Sequence, residues 1–289
     1  PVTYAMSDSG GSEPSKTDFM SQHTCMIPIL TDHFRCSVCA PTTVDIWCPP
    51  PPRCSMCTSD IFACAPAVED TDNEENAFIQ DGVLNIVALP ATEGAEKPYT
   101  SARLNTRYNA DFTYGRFEVR AKLPSGQGSW PAFWMLPTDE EYGTWPRSGE
   151  IDVLESVNLK TADEDGGVES SIHGTLHYGR AWPDNSYTGQ EYKFPEDSNP
   201  ADDFHTYAVE WQEGEIRWYV DGYLYATQRQ SEVLYNSKGE AAGLKHRGWF
   251  AEYFEQGSGE LETHWDSAPY DKDFHLLLNL AVGGDWPEN

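Results

Sequence analysis

Three carboxylates fall within the stretch Glu150-Ile151-Asp152-Val153-Leu154-Glu155, separated only by aliphatic and β-branched side chains. Neighbours of that kind favour a strand, and strand side chains alternate faces, so Glu150 and Asp152 share one face. Regular alternation would send Glu155 to the other. A single β-bulge between Asp152 and Glu155 restores it, because one extra residue moves everything after it by a face. Two carboxyls held about 5–5.5 Å apart can cleave a glycosidic bond with retention: one attacks the anomeric carbon, the other protonates the leaving oxygen. A third acid between them can share a proton with the nucleophile and hold its orientation. Like charges this close cannot all ionise, so one pKa should rise, and the raised acid is the proton donor such chemistry needs. The competing reading is a solvated strand edge, but that would mix Lys or Thr among scattered acids, and strands tolerate Glu and Asp poorly.

The elements that must position these acids are strands. Ala77-Phe78-Ile79 and Val83 to Val87 flank Asp81-Gly82, a two-residue hairpin turn signal, and Ile216 to Val220 and Tyr223-Leu224-Tyr225 flank Asp221-Gly222 in the same way. Phe117 to Leu123 alternates apolar with charged residues, as a strand with one buried face does, and His205 to Trp211 and His275 to Val282 are further strands. No amphipathic helix is evident. Many short strands punctuated by Gly, Asp and Pro point to an all-β sandwich. Aromatic residues reach 13% of the chain, with 10 Trp and 15 Tyr, which suits cross-strand packing and a carbohydrate surface equally.

All seven cysteines lie between Cys25 and Cys64. The chain is therefore expected to divide into a cysteine-rich head (1–67), an acidic linker (68–75) and a cysteine-free body (76–289). The head shows no convincing strand or helix period and is left unassigned. Its CxxC pairs, Cys36/Cys39 and Cys54/Cys57, approach zinc-ribbon spacing, while a disulfide-knotted region is the competing reading; an odd cysteine count fits neither cleanly. Acidic residues number 47 against 19 Lys plus Arg, a formal charge of −28. A surface that negative repels phosphate backbones and anionic membranes, so neither nucleic acid nor membrane is an expected partner. A neutral polysaccharide is indifferent to it.

The carboxylate stretch resembles the E-[I/L]-D-x-x-E motif of glycoside hydrolase family 16 in its bulge-containing, laminarinase-like form. The surrounding sequence is similar as well: Gly128 to Pro137, Thr144-Trp145-Pro146-Arg147-Ser148, Gly174 to Tyr178, Phe204 to Tyr207 and Leu278 to Gly284, spanning roughly Asn76 to the C-terminus. The resemblance implies a β-jelly-roll sandwich with an open substrate cleft, and a retaining endo-β-1,3-glucanase acting on laminarin-like or wall glucan. Galactan or agar hydrolysis and non-catalytic β-glucan binding are the alternatives. The Trp-Pro before the Gly-Glu motif weighs against the first, and the intact acids weigh against the second.

Carried over by motif, Glu150 is the nucleophile, Asp152 its partner and Glu155 the general acid/base. Trp130, Trp145 and His177 match positions that line the cleft, Trp286 sits in a loop that often holds a sugar-stacking ring, and Arg103 matches a further cleft position. His177 could hydrogen-bond the acid or a substrate hydroxyl, whereas Trp134 is expected in the core. The resemblance implies no cofactor for the chemistry and no metal among the site residues. The structural calcium some members hold has no identifiable ligands here. It further implies a monomer working outside the cell. Two departures stand out. The chain stops at Asn289, where a closing strand would begin, and the cysteine-rich head stands where an opening strand belongs. The sandwich is accordingly expected to be incomplete at both ends, with exposed edges and marginal stability.

Overall fold

A computed structural model describes residues 67–287 in full, together with the backbone of 2–3, 5–7 and 23–28. Among the described residues there are strands and turns and no helix. Two sheets face one another. The first runs Ser186–Lys193, Ser171–Tyr178, Glu150–Glu155, Ser129–Pro137, Phe274–Val282 and Arg103–Asn105, and contains the acid strand. The second runs Val2–Thr3, Gly115–Ala121, His205–Gln212, Glu215–Val220 and Tyr223–Arg229. A further sheet centred on Val83–Pro90 and two hairpins, Glu232–Tyr235 with Ala241–His246 and Ala251–Phe254 with Leu261–His264, complete the body.

Both Asp-Gly turns form as their composition dictates. Asp81 and Gly82 have φ of 53° and 75°, and Asp221 and Gly222 have 48° and 79°, the paired positive values that join right-twisted strands. Ile151, Val153, Leu154, Ile172 and Leu176 of the acid-bearing sheet pack against Val209, Trp211, Ile216 and Trp218 of the other in one continuous core. Trp218 also donates its indole Nε1–H to the carbonyl oxygen of Asp152 at 2.8 Å, tying the second sheet to the acid strand from beneath. That approach needs Gly174: a Cβ there would lie 2.4 Å from the Trp218 ring.

Two expectations are corrected. Val68–Asp70, expected within an acidic linker, is a strand parallel to Tyr99–Ser101, with Ala67 N–H donating to Val282 O. A rim strand needs only its backbone to pair, so apolar alternation gave no warning of it. The head, which shows no convincing strand period in its sequence, supplies three: Val2–Thr3 beside Val119 and Arg120, Ala5–Ser7 beside His23–Pro28, and His23–Pro28 antiparallel to Val83–Pro90. Segments this short carry almost no periodic signal of their own; Val2–Thr3 and His23–Pro28 find partners in the body, and Ala5–Ser7 pairs with His23–Pro28. Val2–Thr3 also covers the edge of Gly115–Ala121 that an incomplete sandwich would leave bare. The two CxxC pairs lie outside the described residues.

Candidate active site

The acid strand carries the bulge its spacing requires. Against Ser129–Pro137, Trp134 faces Asp152 while the adjacent Phe133 faces Leu154; against Ser171–Tyr178, Asp152 faces Thr175 and Glu155 faces His173. One extra residue therefore sits between Asp152 and Glu155. Ile151, Val153 and Leu154 all enter the core, at no more than 1% exposure each, and Glu150, Asp152 and Glu155 emerge on the opposite face.

Register then shows what else that face presents, because residues directly opposite across a ladder point the same way. One row runs Arg103, Asn279, Ala132, Glu155, His173, Glu191. A second runs Leu277, Trp134, Asp152, Thr175, Gly189. A third begins Glu150, His177, Tyr187.

Each outer acid is held by a different indole. Trp145 Nε1 donates to Glu150 Oε2 at 2.6 Å, while Oε1 lies toward His177; Trp130 Nε1 donates to Glu155 Oε1 at 3.0 Å. His177 Nε2 lies 3.3 Å from Asp152 Oδ2 and 3.8 Å from Glu150 Oε1. The shorter contact is within charge-pairing reach but lacks the alignment of a hydrogen bond, so buried Asp152 Oδ2 has no hydrogen-bond partner among the described residues. The His177 ring lies between Trp145 and Tyr187, with centroids 5.8 Å from each. Trp286 meets Trp130 edge to face at 5.4 Å and His173 at 5.0 Å, so it stands at the Glu155 end.

Protonation follows from crowding. Burial first, and then the Glu150 charge, push the Glu155 carboxyl up to about 7 against the partial opposition of the Trp130 hydrogen bond and His177. Asp152 is raised well above the usual carboxylate range by burial and then by the charges of Glu155 and Glu150. Burial alone would lower His177, but Asp152 and the neighbouring glutamates outweigh it and hold the imidazole at about 9. At neutral pH the cluster is therefore an imidazolium among carboxyls that retain at least one proton.

The structure thus brings Glu150, Asp152, Glu155, Trp130, Trp145, His177 and Trp286 to one region. Arg103 lies further along the same face, its guanidinium 4.5 Å over the Trp134 ring. Trp134 is the correction here. It is half-buried on the acid face rather than in the core, and it donates Nε1–H to Asn279 Oδ1 at 2.7 Å. Counting alternation back from Phe133, which is in the core, would have placed it correctly. His173, Tyr187 and Asn279 were missed altogether. His173 and His177 share a face by period two, a signal present in Ser171–Tyr178, whereas Tyr187 sits on a polar edge strand whose sequence hides its pairing.

The chain matches Glycosyl hydrolases family 16 over residues 66–267. It belongs to that family. Family 16 relatives include a glucan endo-1,3-beta-glucosidase A1 from Niallia circulans, 38% identical over 75% of this chain but 28% of the relative, and a beta-glucanase from Rhodothermus marinus, 41% identical over 73% of this chain and 62% of the relative. This chain therefore spans less than two thirds of either. Among solved structures, the laminarinase from Rhodothermus marinus superposes with a TM-score of 0.57 at 36% identity, covering 78% of this chain and 76% of that one. The all-β, jelly-roll reading stands with these family 16 neighbours, as does the recognition from the acid motif.

Proposed function

We propose that this chain is a retaining endo-β-1,3-glucanase in which Glu150 attacks and Glu155 donates and recovers the proton. The observation that carries the reading is the unequal treatment of two carboxyls on one face. Glu150 is fixed through one oxygen by Trp145 with the other toward His177, while Glu155 is held protonated toward neutral pH by burial and by the charge of Glu150. In the first step Glu155 passes its proton to the glycosidic oxygen as Glu150 Oε1 bonds to the anomeric carbon. In the second, Glu155, now ionised, takes a proton from water, and the resulting hydroxide oxygen displaces Glu150 with net retention. His177, positive beside Asp152, balances charge on the nucleophile's side. These residues complete both displacements, so the chemistry requires no cofactor.

The β-1,3 preference is supported by relatives named as glucan endo-1,3-beta-glucosidases, and a polymeric substrate by the strand face that continues past the acids through Tyr187 on one side and Arg103 on the other. A polymer of that kind is met outside the cell, which favours an extracellular site of action. Among the described residues no helix is long and apolar enough to cross a membrane. The test is product analysis on laminarin, mixed-linkage glucan and agar with the anomer of the first product read by NMR. Internal cleavage of laminarin giving the β-anomer first is expected. An α-anomer, exclusive cleavage of agar, or binding without turnover would overturn the reading.

A further inference from the structure

The Glu150–Asp152–His177 cluster has a property that the double displacement does not use. One donor atom from each residue lies within 4.8 Å of the other two, with the imidazole Nε2 3.3 Å from one carboxylate oxygen and 3.8 Å from the other. A tetrahedral zinc with ligands about 2.0–2.2 Å away sets its donor atoms roughly 3.3–3.6 Å apart. The two separations from His177 Nε2 stand close to that spacing, and the third is within 4.8 Å. We propose that this cluster is an inhibitory site for a borderline-soft divalent cation, zinc being the best match, that closes the groove by capturing the nucleophile.

Three further observations support it. Asp152 Oδ2 is buried, with 2% of the side chain exposed, and accepts no aligned hydrogen bond among the described residues; its one close charge contact is His177 Nε2 at 3.3 Å, so a bound cation would take over the pairing of this carboxylate as it displaces the imidazole proton. The other oxygen of Glu150 accepts the Trp145 indole N–H at 2.6 Å, the kind of outer hydrogen bond that orients a ligating carboxylate. The His177 ring is confined between Trp145 and Tyr187 with Nε2 directed at both carboxylates. Two carboxylates with one imidazole suit zinc better than calcium or magnesium, which want six or more oxygens and several waters. His177 Nδ1 has no partner among the described residues, so the support that normally strengthens a metal-bound imidazole is missing. The site is therefore reversible rather than structural.

Metal binding here is independent of the glucanase reading; the inhibition rests on it, because bound metal occupies the Glu150 oxygen that would attack. The experiment uses the full chain, stripped with a chelator, and titrates zinc by calorimetry into the parent, Asp152→Asn and His177→Ala, each checked for fold by circular dichroism. All three keep the head cysteines, so any thiolate sites cancel in the difference. The parent should bind one more zinc per chain than either variant, and added zinc should remove laminarin hydrolysis that chelator restores. Equal zinc stoichiometry in the parent and either variant overturns the site. Zinc bound as expected with hydrolysis untouched overturns its inhibitory role, whereas a parent that never hydrolyses glucan counts against the proposed function and leaves the metal result standing on its own.

Discussion

Two carboxylate-rich regions of this molecule behave oppositely. On the outer face of the second sheet, Arg116 lies between Glu118 at 2.7 Å and Glu210 at 3.0 Å, Arg217 reaches Glu210 and Glu215, and Arg229 bonds Glu215 at 2.6 Å. Every carboxylate there has a guanidinium, and the Tyr219 hydroxyl and Arg116 hold Glu210 below its usual pKa. On the acid face three carboxyls share one charged histidine, His177, because burial lowers the pKa of His173; the site is largely away from water, and two of the carboxyls are raised. Carboxylates alone therefore do not mark a catalytic site. What marks it is a shortage of cations combined with burial, which stores protons where a reaction can use them.

The contrast breaks most completely at Glu150. Glu150→Gln should lower hydrolysis of laminarin by about 10³-fold or more, over 4 kcal/mol of barrier, while oligosaccharide binding measured by calorimetry stays near parental. Residual turnover within about tenfold of the parent would remove Glu150 as nucleophile.

Glu155→Gln is next, and it separates catalysis from stability. Loss of the acid should cost about 10²–10⁴-fold on laminarin and far less on an activated aryl glucoside, whose leaving group departs without a proton. Equal losses on both would argue against Glu155 as the acid. The same change should stabilise the fold, with a definite pH sense. Glu155 is raised to about 7 from an ordinary value of 4.5, so the native chain binds this proton more tightly than the unfolded one. Its penalty is absent below about pH 4.5, grows as pH rises to 7 and is constant above, reaching about 1–3 kcal/mol for a partly exposed group. The variant's melting temperature should exceed the parent's at pH 8 and match it at pH 4.5. A variant equal to the parent at both would mean that Glu155 is not strained.

A smaller effect sharpens the comparison by adjusting the acid rather than deleting it. Trp130→Phe removes the N–H that lowers Glu155. The basic limb of the kcat/KM profile should move to higher pH by up to about one unit. A limb that stays in place would break the link between that indole and the proton donor.

The smallest effect belongs to the outer network. Glu210→Gln should change stability by less than about 1 kcal/mol and leave turnover unchanged, since exposed pairs contribute little. What stability Glu210 supplies is present at neutral pH and fades as pH falls through its lowered pKa, the reverse of Glu155. A large activity loss in this variant would mean the two regions are not independent.

Much of this was legible without coordinates. The three acids with two aliphatic residues between Asp152 and Glu155 demanded a bulge, and Val153 and Leu154 are both buried in the core because of it. The two Asp-Gly dipeptides specified their turns because only residues tolerant of positive φ close a two-residue hairpin. Alternation over Phe117 to Leu123, the strand reading of His205 to Trp211 and the turn after Ile216 to Val220 overlap Gly115–Ala121, His205–Gln212 and Glu215–Val220, whose inner faces are buried. These are local properties, set by neighbouring side chains and backbone sterics.

The rest depended on partners distant in the chain. Ser186–Lys193 has almost no buried residue, so nothing in its own sequence announced that it pairs along Ser171–Tyr178 and puts Tyr187 beside His177. Val68–Asp70 and the short head strands form because an edge elsewhere offers unpaired N–H and C=O groups. Trp134 is expected in the core, yet register with Asp152 turns it to the acid face. The amino-acid sequence determined which groups could react and the local shape of the strand bearing them. Only the folded sheet decided which indole holds which carboxyl, and that a single charged histidine would serve three acids, because hydrogen-bond register and burial are set by strands far apart in the chain.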